Sequence, residues 1–455
     1  MEEKKRAKFS GNLGYVLATA GSAVGLGNIW RFPYLAAKYG GGIFILIYII
    51  LGVTFGYTLI ISETVLGRIS RKSPIGAFKH FSQSRLGRVG GWLNAIVPVI
   101  IVPYYCVIGG WVLRYLTEYI VGNSEKVVRE GYFTDFITSA SGSEVFFLLF
   151  SMITLLVVVL GVNAGVERIS TLMMPVLMIL AALIAVYSIT RPGALEGVRY
   201  ALVPDFSKFS FMTVVAAMGQ MFYSLSIAMG ILYTFGSYMK RDVDIERSTY
   251  QVAIVDSLVA ILAVLMVIPS IFAFADGDVS GKLNAGPALL FISLPNVFAD
   301  MAGGKIVGIL FFVMVLFAAL TSSIALLEST VSTLEDEFHL GRKGASAVMA
   351  LVIVVLGSLS SLGYNLLSDM RLLGMQFLDF FDFLSNSVLM PIGAMATCIL
   401  IFRCVGIAAV TEEVERSSKF GSKRMYAIIL KYLAPVLLGI ILVSSVLNTL
   451  GIIAI

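Results

Sequence analysis

The chain has 455 residues, 58% of them hydrophobic and only 13% charged, with 33 Lys and Arg against 28 Asp and Glu, and a mean hydropathy of +0.92. So little polar surface excludes a water-soluble globule. The formal charge of +5 is scattered through connections with no aromatic binding motif, which argues against nucleic acid and leaves the lipid bilayer as the surrounding medium.

Apolar runs near the length needed to cross roughly 30 Å of hydrocarbon fall at 12–38, 41–68, 91–121, 144–161, 166–189, 210–239, 248–275, 304–334, 344–362, 374–402 and 426–454. They predict an all-α integral membrane fold with eleven spans. An odd number puts the termini on opposite sides. Counting residues near the span ends, 22 of the 33 Lys and Arg lie on the side of the N-terminus. Because such residues accumulate in cytoplasmic loops, the N-terminus is expected inside a cell membrane and the C-terminus outside. The basic start leads into a full span instead of a short signal sequence, so the N-terminus is expected to be retained. Compactness, short tails and the lack of an Asn-x-Ser/Thr sequon point to a bacterial source. Two outer connections, 122–143 and 276–303, are long. The second holds Pro287 and Pro295 around the apolar stretch 288–293, as a cap over a vestibule or a plain surface loop would.

The first span carries the strongest local signal. Gly21-Ser22-Ala23-Val24-Gly25-Leu26-Gly27-Asn28 places three glycines and an asparagine inside a helical stretch, and each glycine weakens a helix by about 1 kcal/mol relative to alanine. Backbone freed at membrane depth is tolerated where it lines protein or a wet cavity, and there it can bind ions; close packing through small residues is the simpler reading. Charges inside spans cost about 2.5 kcal/mol or more unless paired or hydrated, which marks Arg31, Glu63, Asp256, Glu328, Asp379 and Asp382. Glu63 is suited to accepting N–H groups from unwound backbone. Arg31, just beyond the glycine break, is suited to pairing with an acid on a later helix. Cys106, Cys398 and Cys404 have no paired spacing, and His80 and His339 lie far apart, so neither a disulfide framework, nor a structural metal, nor a His-based catalytic set is expected. An enzyme would need a positioned base or metal, and the chain is not expected to be one. Nothing favours a channel.

Residues 21–33, GSAVGLGNIWRFP, closely resemble the first-helix signature of the neurotransmitter:sodium symporter family. Gln220-Met-Phe-Tyr-Ser-Leu-Ser226, Leu320-Thr-Ser-Ser-Ile-Ala325 and Leu334-Glu-Asp336 are similar to its sixth and eighth helices. The resemblance spans essentially the whole chain. It implies one transporter domain, 1–455, in which helices 1–5 (10–190) and helices 6–10 (208–404) are inverted repeats, helices 1 and 6 are broken, and helix 11 (426–454) is an addition like that of one bacterial branch. The sixth segment alone, with one glycine in 224–230, reads as an ordinary buried helix.

The resemblance also implies a function: sodium-coupled symport of a neutral, hydrophobic amino acid by alternating access, with no obligate protein partner. One sodium is implied at Ala23, Asn28, Ser224 and Asp256, and a second at Gly21, Val24, Ala318, Thr321 and Ser322, all oxygen donors suited to a hard cation. Thr321 and Ser322 could equally bond their own helix. The implied solute site comprises Ala23, Gly25, Leu26, Gly27, Ile101, Tyr105, Tyr223, Ser224, Ser226, Met229, Ser322 and Leu326. The Leu26 and Gly27 amides with the Tyr105 hydroxyl would hold a carboxylate. Relatives that carry monoamines have Asp where this chain has Gly25, which favours an amino acid. Ala228 in place of the usual Gly bears on pocket depth, and Met229 stands where many relatives have Phe. Arg31 with Asp382 resembles the outer gate and Arg6 with Asp336 the inner one, where Phe9 replaces a tryptophan and is expected to loosen the seal. Gly165 and Pro175 resemble a family device that unwinds the fifth helix, although Pro175 could be a static kink. Asp256 is expected to stand in for the chloride of animal members, so no chloride requirement is expected. A same-fold symporter for a small osmolyte or γ-amino acid is the alternative.

Overall fold

The structure is a computed structural model that describes residues 6–274, 287–449 and 452. Residues 276–286 of the expected outer cap lie outside the described residues. Among the described residues there is no β-strand, and nine uninterrupted helical stretches are long and apolar enough to cross a membrane. They fall on the second to fifth and seventh to eleventh expected spans within about a helical turn, for example Gly42–Ser70, Val162–Ile189 and Phe377–Val405.

The first and sixth segments are each interrupted. Helix Asn12–Ala23 ends where Val24 turns to φ −76°, ψ 96°; the chain resumes as a π-helical turn, Gly27–Arg31, that runs into helix Phe32–Lys38. The sixth segment forms helices Phe211–Ser224 and Ile231–Tyr238, separated by a non-helical turn. Within it Ser226 and Ala228 have φ of 54° and 60°, and Gly230 follows at 69°. Two non-glycine residues in the left-handed region are costly, so that turn must be held by its surroundings.

The half-helix Ile231–Tyr238 sits against the second helix with backbones in contact. A Cβ on Gly67 would fall 2.0 Å from the Tyr233 carbonyl oxygen, and one on Gly236 would fall 2.4 Å from that of Thr64. Arg71, at the end of the second helix, donates to the carbonyls of Ser237 and Met239 at 3.2 and 2.6 Å, satisfying the open end of that half-helix. The third helix, Arg85–Val121, packs along the eighth, Gly304–Phe338. At one end of this pair the long connections fold inward. Segment 122–143 contains helices Ser124–Val127 and Tyr132–Thr138, and the later connection contains Leu289–Ser293 and Leu294–Asp300. Phe291 is fully buried and stacks on Phe133 at 5.1 Å beside Trp111 and Tyr115, so the two connections close over the helix ends together.

The six charges singled out within the spans divide. Glu63, Asp256 and Glu328 are fully buried, and each has a partner. Arg31 is half-buried, over the ring of Tyr223. Asp379 and Asp382 are exposed, because the tenth helix begins only at Phe377 and both lie in its opening turns, where a carboxylate suits the helix dipole.

Candidate functional site

The two interrupted segments face each other across one small cavity of about 30 Å³, well below the roughly 300–1,000 Å³ of open ligand pockets. All the residues expected to hold solute line it: Ala23, Gly25, Leu26 and Gly27 from the first break, Ile101 and Tyr105 from the third helix, Tyr223, Ser224, Ser226 and Met229 from the sixth segment, and Ser322 and Leu326 from the eighth. Ser22, Asn28 and Ile231 complete the wall. No side chain on it carries a formal charge.

Position 25 has little room for anything but glycine. A Cβ there would lie 2.7 Å from the Ser322 hydroxyl and 3.0 Å from that of Tyr105. The Leu26 N–H donates to the Tyr105 hydroxyl at 3.3 Å, and the Gly25 N–H to Asn28 Oδ1 at 3.2 Å. Amides at the start of a half-helix together with a tyrosine hydroxyl make a site for an anion, since the N–H dipoles and the helix end both favour negative charge. Ile101, Met229, Ile231 and Leu326 add apolar surface to the lining.

Beside this cavity Asp256, from the seventh helix, accepts from Asn28 Nδ2 and from the Ser224 hydroxyl, both at 2.8 Å on Oδ1. Its Oδ2 accepts from the Tyr48 hydroxyl at 2.5 Å. Asp256 therefore meets both interrupted segments directly, and the Ser224 hydroxyl oxygen also lies 3.2 Å from Asn28 Oδ1. Tyr48 was not anticipated. It sits in an apolar run of the second helix with nothing to mark it, and only the packing reveals it.

A second group of oxygens gathers between the first and eighth helices. The Ser322 hydroxyl oxygen lies 3.3 Å from the carbonyl oxygens of Gly21 and Ser22 and 3.4 Å from that of Val24. Thr321 donates within its own helix, to the carbonyls of Phe317 at 3.0 Å and Ala318 at 3.2 Å. A Cβ on Gly21 would lie 3.2 Å from Thr321 Cβ. Ser322 thus reaches across to the broken helix, whereas Thr321 satisfies its hydroxyl locally. The Ser322 hydroxyl and the carbonyls of Gly21, Ser22 and Val24 make a group of oxygens, a donor type that fits a hard cation better than a transition metal. Among the described residues no group of three or more His, Cys, Asp and Glu is placed to hold a metal ion.

The two expected gates differ. Arg6 reaches Asp336 at 2.6 Å and also donates to the hydroxyls of Ser237 and Ser332. Phe9 is buried beside this pair, edge-on to Tyr15, Phe235 and Tyr238. At the other end, no nitrogen of Arg31 comes within 4.0 Å of an Asp382 oxygen; the guanidinium lies 5.7 Å from the Tyr223 ring centre, and Asp382 accepts from Tyr104 at 3.1 Å and Asn386 at 2.6 Å. The stretch from Gly165 to Pro175 is helical throughout, with Pro175 accommodated inside Arg168–Ile189, so the fifth helix is not unwound in this structure.

Comparison with known proteins converges on one family. Residues 6–124 and 134–452 match the sodium:neurotransmitter symporter family. An uncharacterized sodium-dependent transporter of Bacillus subtilis, YhdH, is 34% identical over the whole of both chains. Another of Haemophilus influenzae is 31% identical over 97% of this chain and 98% of its own. Among solved structures, MhsT in complex with L-phenylalanine superposes with a TM-score of 0.86 at 32% identity, covering 97% of this chain and 100% of that one.

Proposed function

Since this chain belongs to the sodium:neurotransmitter symporter family, whose members are transporters and not enzymes, we propose that it carries neutral, hydrophobic amino acids across the cell membrane, driven by two sodium ions. The observation that carries this reading is the cavity at the two helix breaks: polar and anion-favouring at Leu26, Gly27 and Tyr105, apolar and uncharged where a side chain would lie. That division fits an α-amino acid whose side chain bears no charge. The similar MhsT, solved in complex with L-phenylalanine, agrees with it.

In this reading one sodium is bound by Ala23, Asn28, Ser224 and Asp256, and a second by Gly21, Val24, Ala318, Thr321 and Ser322. Arg6 and Asp336 form the inner gate and Arg31 and Asp382 the outer one. The joined inner pair and separated outer pair fit a form closed toward the cytoplasm. Binding of sodium and solute favours approach of the outer pair, and their release follows opening of the inner pair. The drive is the difference in affinity between the two forms. The carboxylate of Asp256 supplies the negative charge that two cations need in a low-dielectric site, so chloride is not required.

The test is binding to purified protein of labelled leucine, with phenylalanine, tyrosine, glycine and γ-aminobutyrate as competitors, in sodium and in potassium. The expected result is sodium-dependent binding displaced by the larger apolar amino acids and poorly by glycine or γ-aminobutyrate. Full binding in potassium would end the sodium-coupled reading. Displacement best achieved by γ-aminobutyrate would assign the site to an osmolyte or γ-amino acid.

A further inference from the structure

One buried carboxylate near the cytoplasmic end serves neither the cavity nor either gate. Glu167 closes the π-helical turn Val162–Glu167 that opens the fifth helix. Its two oxygens accept the backbone N–H of Ser10 at 3.0 and 3.1 Å, and one of them also accepts the Ser10 hydroxyl. Asn163, one turn earlier, donates to the Lys8 carbonyl and to Glu167, both at 2.8 Å. The contact is close enough that a Cβ on Gly14 would fall 1.8 Å from Glu167 Oε1, so position 14 has no room for a side chain while Glu167 stays there.

The placement matters for both neighbours. Helix Asn12–Ala23 starts from Gly11, which offers no side-chain cap, and a carboxylate bonded just before that start complements the positive end of its dipole. Four residues before Ser10 is Arg6, held by Asp336, Ser237 and Ser332, and between them the Phe9 N–H donates to the Tyr238 carbonyl at 3.1 Å. On the other side, Gly165 is wedged against the fourth helix, its Cβ position 2.0 Å from the Val157 carbonyl oxygen. Further along the fifth helix, Met174 lies 3.4 Å from the Cβ position of Gly21, beside the oxygen group at Thr321 and Ser322. The start of the fifth helix thus touches the inner gate's tether, and its middle covers the second proposed sodium site.

We propose that Glu167 is a positioning residue that latches the start of the fifth helix to the start of the first, so that the inner gate and the path to the second sodium site open as one event. The proposal rests on the reading of Arg6 and Asp336 as the inner gate. Displacement of residues 162–167 removes the acceptor from Ser10, frees 6–11, and withdraws Met174 from Gly21. Conversely, a broken Arg6–Asp336 pair loosens Ser10 and with it Glu167, since coupling between two sites is reciprocal.

Amide hydrogen exchange on the full chain in nanodiscs tests this. Glu167→Ala should raise exchange about tenfold in both 6–14 and 162–175, and Glu167→Gln, which keeps one acceptor oxygen, should raise both by less. Asp336→Asn, altered only at the gate, should raise exchange in 162–175 as well as 6–14, and adding it to Glu167→Ala should give little further increase in 162–175. A rise confined to 162–167 in Glu167→Ala, or no response of 162–175 to Asp336→Asn, overturns the latch. Should Glu167→Ala fail to fold, Glu167→Gln and Asp336→Asn decide the matter by the same two segments. If sodium leaves exchange in the wild type unchanged while the two segments still respond together to Glu167→Ala, the transport reading fails and the latch stands.

Discussion

The two helix breaks that enclose the cavity are built by opposite means. In the first, glycines do the work: Gly25 and Gly27 each have a neighbour's side-chain atom 2.7 Å from where a Cβ would be, Ser322 Oγ for one and Tyr223 for the other, and no residue there needs a positive φ. In the sixth, Ser226 and Ala228 occupy the left-handed region and are held by distant groups. The Ser226 hydroxyl donates to the Ser22 carbonyl at 2.9 Å, and the Ala228 N–H donates to Glu63 Oε1 at 2.9 Å. One break follows from local sequence, the other from tertiary contacts, and substitutions at the two should fail differently.

The largest effect is expected where the breaks are joined. Asp256 accepts from Asn28 on the first and Ser224 on the sixth, so Asp256→Asn removes a charge and crosses both. Half-saturation by sodium in the binding assay should rise about a hundredfold, the loss of a charge-assisted contact. The same titration with chloride replaced by gluconate should leave the wild type unchanged. A wild type that stalls in gluconate, or an Asp256→Asn protein that behaves normally in both salts, would place the balancing charge elsewhere.

Next comes Glu63→Ala, which strips the sixth break of its acceptor and leaves the buried Ala228 N–H unsatisfied, at a cost of about 2 kcal/mol. Solute binding should fall with stability, because Met229 beside it lines the cavity; chemical denaturation and binding measured on one preparation would show both. Unchanged stability would mean the turn holds without Glu63. At the first break Gly25→Ala should be gentler on stability and act on the solute, weakening amino acid binding about tenfold by crowding Ser322 and Tyr105. Thermal midpoint against binding constant separates the two modes.

This contrast also explains what could be read from the residues alone. The spans were legible because apolar runs of membrane length are a strong signal, and the first break because glycines cluster in it. The sixth break was not, since Ser224–Gly230 carries a single glycine and its cause, Glu63, lies over 160 positions away. Tyr48 was hidden for the same reason, as were Glu167 and its grip on Ser10. Asp379 and Asp382, expected within the tenth span, stand in the opening turns of its helix, a detail of position that an apolar run does not fix to the residue. The family resemblance supplied the cavity-lining set, which periodicity by itself did not.

The smallest expected effect belongs to Ala228→Gly, and it bears on how the sixth break is held. Ala228 at φ 60° pays a conformational penalty of about 1 kcal/mol that glycine avoids. Against this, glycine gives the unfolded chain more freedom, and the lost methyl leaves a small gap near Gly393, whose own Cβ position is 3.5 Å from the Ala228 Cβ. The net change should be a stabilisation of a few tenths to about 1 kcal/mol, seen as a slightly higher midpoint in thermal unfolding. Ala228 is not among the residues lining the cavity, so the order of competing amino acids should stay as in the wild type, whereas Met229→Ala, which opens the apolar wall, should move it toward larger side chains. If Ala228→Gly alone admitted larger amino acids, backbone freedom at position 228 would be the determinant of size, and the sixth break would owe its shape to that strained residue more than to Glu63.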